Sequence, residues 1–237
     1  MARIKWDLPG EHLYETGTDR GVLYPISGTT YPSGVAWSGL TGVTESPSGA
    51  EETKLFADNV KYLSLRSAEE FGGTITAYTY PDEWMECDGS KEIVSGVVAG
   101  QQSRKTFGLS YRTIVGNDTM SNDYGYKIHL VYGCTASPSE RGYKTVNDSP
   151  EAIEMSWTFT TTPVSIPNTV PGTFKPTSVL TIDTTNEEID SDKVKALEDI
   201  LYGTDANTVD EDGYTVNAAT EPRLPLPEEV YNLFTSN

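Results

Sequence analysis

The stretch IEMSWTFT at 153–160 puts Ile153, Met155, Trp157 and Phe159 on one side and Glu154, Ser156, Thr158 and Thr160 on the other. Side chains of a strand point alternately to opposite faces, so this pattern predicts a strand with one face on a core and the other in water. Such a segment is stable only beside other strands and under an apolar layer, which commits the chain to a packed β fold. Residues 126–132 repeat the period, with Tyr126, Ile128, Leu130 and Tyr132 on one side and His129 on the opposite, more polar side. Further strands are predicted at 107–112, 60–65, 74–80 and 179–182, enough for two packed sheets or a barrel. The 30 Thr, 14 Tyr, 21 Gly and 14 Pro fit this reading, since β-branched and aromatic residues suit a pleated surface and Gly and Pro punctuate it.

One segment reads as a helix. Asp190 or Ser191 can cap it, Val194, Leu197, Ile200 and Leu201 form an apolar stripe, and Gly203 suits the position after its end. Beyond it, 204–221 predicts an acidic hairpin or loop, and PRLPLPEEVYNLF at 222–234 predicts an extended strip that docks on another surface. At the other end, 7–20 is polar with little periodicity, and SPSGAEET at 46–53 reads as an insert between strands. Asp58-Asn59 is expected to hold a turn.

Charge narrows the function. The 17 Lys+Arg against 35 Asp+Glu give a formal net charge of −18, of which residues 187–237 carry −10 (13 acids, 3 bases). Nucleic-acid readers need cations at phosphates, so the charge speaks against such a reader and tight, specific DNA binding is not expected. Cys87 and Cys134 lie far apart, outside metal-ligand spacing, and are expected to be reduced thiols. No signal-peptide core and no apolar run of about 18 residues is present, which predicts a soluble chain made in the cytoplasm, with no membrane partner.

Catalytic patterns are weak. His12 and His129 lack a nucleophile-elbow or cysteine-protease context, and Gly72-Gly73 precedes a strand rather than a helix that would cradle phosphate. Asp205, Asn207, Asp210 and Asp212 before Gly213 depart from a calcium loop, with Val209 between them and no Glu at the twelfth position. Neither catalytic residues nor a metal or cofactor is expected. Four Trp leave a sugar-binding β-sandwich open as an alternative, with Trp37 or Trp84 as the stacking platform. A glycosidase would need two convergent carboxylates, which the sequence does not single out.

Three stretches carry a resemblance: GVTESPSGAEETKLFADNVKY at 42–62, ASPSERGYKTVNDSPEAIEMSWTFTTTPV at 136–164, and ALEDILYG at 196–203 with PRLPLPEEV at 222–230. Together they resemble the major tail, or tail tube, proteins of long-tailed siphophages of Gram-positive hosts. The match runs from Gly21-Val22-Leu23-Tyr24-Pro25 to the end and lies in ordered agreement at many points.

The resemblance implies a mainly β fold, a two-sheet sandwich with one flanking helix. It also implies homohexameric rings whose inner sheets join into a barrel and stack into a tube that conducts double-stranded DNA. It places the protein in the virion after assembly in the host cytoplasm, with a tape-measure protein and a tail terminator as partners. Three parts are expected: an N-terminal arm (1–20), the β-sandwich (21–203) and an acidic loop with a C-terminal arm (204–237). Pro47, Ser48, Gly49, Ala50, Glu51 and Glu52 are the candidates for a ring-stacking loop. Leu224, Pro225, Leu226 and Pro227 are the candidates for a docking arm. Acidic side chains on the lumen face, not identifiable from sequence, would keep DNA from sticking.

Overall fold

The computed structural model describes residues 4–146, 148, 151–167, 170–206 and 218–236. The chain begins with β1 (Tyr14–Pro25), β2 (Val35–Ala36) and β3 (Leu40–Glu45). A ribbon of β4 (Ser48–Gly49), β5 (Glu52–Ala57), β6 (Val60–Arg66) and β7 (Glu69–Glu70) returns to β8 (Gly72–Ala77). Helix α1 (Trp84–Asp88) leads into the hairpin of β9 (Lys91–Val94) and β10 (Val97–Ala99). The long strands β11 (Phe107–Asn117) and β12 (Ser121–Ala136) follow, then β13 (Met155–Thr161), β14 (Val179–Asp183), α2 (Ser191–Tyr202) and α3 (Pro227–Thr235).

The fold is mainly β, as the alternating segments predict. The antiparallel order is β2-β1-β11-β12-β13-β8-β3, with β14 also on β12. The sheet folds back on itself, so that Leu23, Phe107, Leu109, Tyr111 and Val131 of β1, β11 and β12 face Ile75, Ala77, Trp157 and Phe159 of β8 and β13. Trp37, Trp84 and Trp157 sit between these layers with ring centroids 4.7, 5.5 and 5.8 Å apart, the spacing at which tilted aromatic pairs attract. On the far side of β1, β11 and β12 a second core forms. There Val22, Tyr24, Ile128, Leu130 and Tyr132 meet Val194, Leu197 and Leu201 of α2 and Val230 of α3. Three layers result: helices, one sheet layer, and a second sheet layer of β13, β8 and β3.

Gly133 joins the two sheet layers. Up to Tyr132 the even-numbered side chains of β12 face the helices, whereas Cys134 and Ala136 face the tryptophans. A register shift between Leu109 and Phe107 pairing marks the bulge, and Gly133 takes φ 63 there. The phase change lets β12 pair with β14 over 127–131 and with β13 over 134–136. A bulge adds one residue to one strand and so turns it, and a positive φ at almost no cost is what glycine supplies.

Several expectations are met and several corrected. Asp190 caps α2 by accepting a hydrogen bond from the Asp192 N–H at 2.9 Å, and Gly203 follows the helix at φ 76. The strip expected to be extended is so only to Leu226. Pro227 opens a second long helix, its fixed φ suiting the first turn, and the Glu229 carboxylate accepts from the Leu226 N–H. The N-terminal boundary also moves, because 14–20 belongs to β1, where Arg112 grips Asp19 with two hydrogen bonds of 2.7 and 2.6 Å. His129 lies on the side opposite Ile128 and Leu130, as expected, with Thr113 and Glu45 as polar neighbours, but that side is covered: the ring is buried and stacks flat on Tyr111 at 4.7 Å. Of the calcium-loop residues, Asn207, Asp210, Asp212 and Gly213 lie outside the described residues.

Candidate assembly surfaces

The insert predicted at 47–52 is the base of a longer projection. Ser48 pairs with Glu70 and Gly49 with Glu69, then Glu52 through Ala57 pair with 60–66. Gly49 has φ 83, and a Cβ there would lie 2.3 Å from the Ala68 carbonyl oxygen; Ala50 also has a positive φ, 54. The Glu51 N–H donates to the Ser67 hydroxyl, and Lys61 reaches Glu52 at 2.7 Å. At the tip, Asp58 (φ 49) and Asn59 (φ 63) form the two-residue turn that an Asx pair between apolar runs favours.

Leu55, Phe56, Val60, Tyr62, Leu63 and Leu65 on this arm are all exposed, Phe56 by 68% and Tyr62 by 75%. Sequence reading placed 60–65 in a strand but expected the contact in 47–52. The signal for the apolar outer part was present, since Tyr62, Leu63 and Leu65 fall on both parities and match no single core face. The outer part also differs in charge from the rest of the chain: 53–66 holds Lys54, Lys61 and Arg66 against Asp58, net +2 within a chain of −18. A second apolar ribbon, the β9–β10 hairpin, exposes Ile93, Val94, Val97 and Val98.

At the arm's root, the Tyr111 hydroxyl donates to Glu45 at 2.5 Å, and the His129 Nδ1 lies 3.6 Å from the same carboxylate. His129 Nε2 meets the Thr113 hydroxyl at 3.0 Å. Burial holds the His129 ring below the ordinary histidine range, against the smaller opposing pull of Glu45 and Glu15. Burial and the Glu45 carboxylate together push the Tyr111 phenol up. These groups close one end of the space between the sheet layers and tie β3 to β11 and β12.

The docking-arm candidates lie against their own domain. Leu224 is buried and its N–H donates to the Tyr31 carbonyl oxygen at 3.2 Å, while the Tyr132 hydroxyl donates to the Pro225 carbonyl oxygen at 2.9 Å. Gly108 makes room, since a Cβ there would stand 2.4 Å from Leu224. Pro225 and Pro227 are buried and Leu226 is half-buried against the second core. At the N-terminus, Gly10 is pinned to the β11–β12 turn through Asp118 and Asn117, and Trp6 remains 73% exposed.

The outward side of β13, β8 and β3 is a sheet face away from the helices. Thr44, Thr74 and Thr158 lie in register across it, and Thr76 pairs with Ser156. Thr160 continues onto Thr135 of β12. The Thr41 hydroxyl donates to Glu154 at 2.5 Å at one margin. The tryptophans proposed for a sugar platform are not available: Trp37 is 3% exposed and Trp84 is fully buried, because both fill the space between the layers. No protein-family model matches the chain, and no curated protein matches it.

Proposed function

We propose that the protein is a structural tail tube subunit of a long-tailed phage, with copies of itself as its principal partner. In this reading six copies close into a ring and rings stack into a tube that conducts double-stranded DNA from the capsid to the host. The observation that carries it is the arm at 48–70, whose apolar side chains its own domain leaves in water. A two-stranded ribbon is marginal by itself, so an arm of this composition is completed by another surface. The net positive outer part favours an acidic partner, and the chain's own body is acidic.

Two further features support the reading. The arm and whatever receives it are different surfaces of the same chain, and such heterologous contacts generate rings or open stacks rather than closed pairs. Among the described residues β3 and β14 each have one ladder partner, and sheet edges of this kind are removed when neighbouring copies continue the sheet. The tail tube assignment, the virion location and the tape-measure and terminator partners are part of the proposal and rest on the resemblance of 42–62, 136–164, 196–203 and 222–230 to tail tube proteins.

Sedimentation of the purified chain across concentration and salt tests this. A species of six chains, or larger multiples of it, is expected, growing with salt as the −18 per chain is screened. A single-chain species at every concentration and salt overturns the proposal.

A further inference from the structure

We infer that the outward face of β13, β8 and β3, continued by Thr135 of β12, is the channel wall, and that hydroxyl groups rather than carboxylates make it non-adhesive to DNA. This rests on the tail tube reading.

The strand registers place hydroxyls in rows. Thr44, Thr74 and Thr158 share one row, Thr76 and Ser156 the next, and Thr135 and Thr160 a third. No Lys or Arg occupies an outward position in these rows. Duplex DNA is held by cations at phosphates, with an affinity that follows the number of counterions released, so a wall without cations has no such grip. A hydroxyl exchanges hydrogen bonds with water at little net cost and carries no charge either to trap or to repel a phosphate.

One carboxylate, Glu154, stands at the margin of this face, held by the Thr41 hydroxyl that also meets Thr76; the C-terminal acid lies elsewhere. Asp192, Glu198 and Asp199 of α2 and Glu228 and Glu229 of α3 belong to the helix layer, on the opposite side of the molecule from the hydroxyl rows. The acidic C-terminal fifth, in its described residues, therefore decorates a different surface, and the lubricating acid expected from net charge is replaced by neutral oxygen. The width also fits. Four strands per copy, six copies, a strand spacing of about 4.8 Å and a tilt of about 40° give a barrel roughly 45–50 Å across between backbones. After side chains on both walls are allowed for, a B-form duplex passes with room for water.

Engineered thiols read the wall directly. The native thiols stay silent because burial pushes Cys87 up to about 12 and raises Cys134 well above its ordinary value. Thr158→Cys and, as a second position, Thr74→Cys are assembled at raised salt and treated with a biotin maleimide, then with streptavidin, which is too broad to enter the channel. The expected result is biotin on the protein by mass spectrometry and bare tube walls by electron microscopy, whereas Lys195→Cys on α2 serves as the helix-layer comparison. Streptavidin along the outer wall at Thr158, or failure of the small reagent to react in tubes, overturns the assignment of the face. Absence of tubes from the unaltered chain overturns the tail tube reading instead. For the chemistry, Thr158→Lys tubes should retain added duplex DNA at least tenfold more than unaltered tubes at low salt, with Thr158→Ser unchanged. Equal retention by the Lys variant overturns the hydroxyl mechanism while leaving the wall assignment to the thiol result.

Discussion

Gly133 decides whether β12 can serve two sheets. Its φ of 63 strains most side chains, and a Cβ would come within 2.1 Å of the Thr162 carbonyl oxygen. Gly133→Ala should therefore lower folding stability by about 2–4 kcal/mol, read as a fall in the urea midpoint. An unchanged midpoint would remove the bulge from this account. His129 makes a pH prediction. Its ring is held below the ordinary histidine range by burial, so the unfolded chain takes up a proton near pH 6.5 while the folded chain does so only at lower pH. Stability from this group is full above the ordinary value, falls as pH drops through it, and levels off below the folded value. Thermal midpoints between about pH 7.5 and pH 5.5 should fall in the unaltered chain and fall less in His129→Gln. An equal fall in both would show that another group carries the dependence.

At the scale of elements, the arm and the C-terminal strip behave oppositely, and each has its own test. Phe56→Ser with Tyr62→Ser should leave the thermal midpoint within about 1 °C of the unaltered chain, since both side chains lie in water, yet abolish the six-chain species. Loss of folding instead of assembly would mean the arm stabilises its own domain. Leu224→Ala should cost about 2–5 kcal/mol, because Leu224 fills space between Tyr31 and Gly108 in its own chain. A neutral result would return the strip to a neighbour. These elements also show what the sequence could reveal. The strand at 155–161 and the helix at 191–202 were legible because each has one wet and one dry face, so period and burial coincide. The second helix was masked by its prolines: three within six residues read as an extended strip, although Pro227 stands where a helix tolerates it best. The burial of His129, Trp37 and Trp84 was not legible for a shared reason. A strand buried on both faces loses the contrast on which alternation depends, and aromatic residues read as platforms when nothing in one sequence shows which layer will cover them. The hydroxyl rows were visible as Thr and Ser in alternate positions of 153–160, but their continuity across β8 and β3 arises only from strand pairing.

The whole molecule carries acid on its helix layer, hydroxyls on the opposite sheet face and an apolar arm that extends beyond its own core. In the proposed tube these features would divide the work: the arm would join copies, the hydroxyl face would line the passage, and net charge would keep free subunits apart until screened. In the proposed assembly copies of this chain complete one another around an open channel, and the decisive measurement is electron microscopy of the purified protein at high concentration and raised salt. The account predicts sixfold rings or stacked tubes with an empty centre wide enough for duplex DNA; solid filaments, or dispersed single chains under the same conditions, would contradict it.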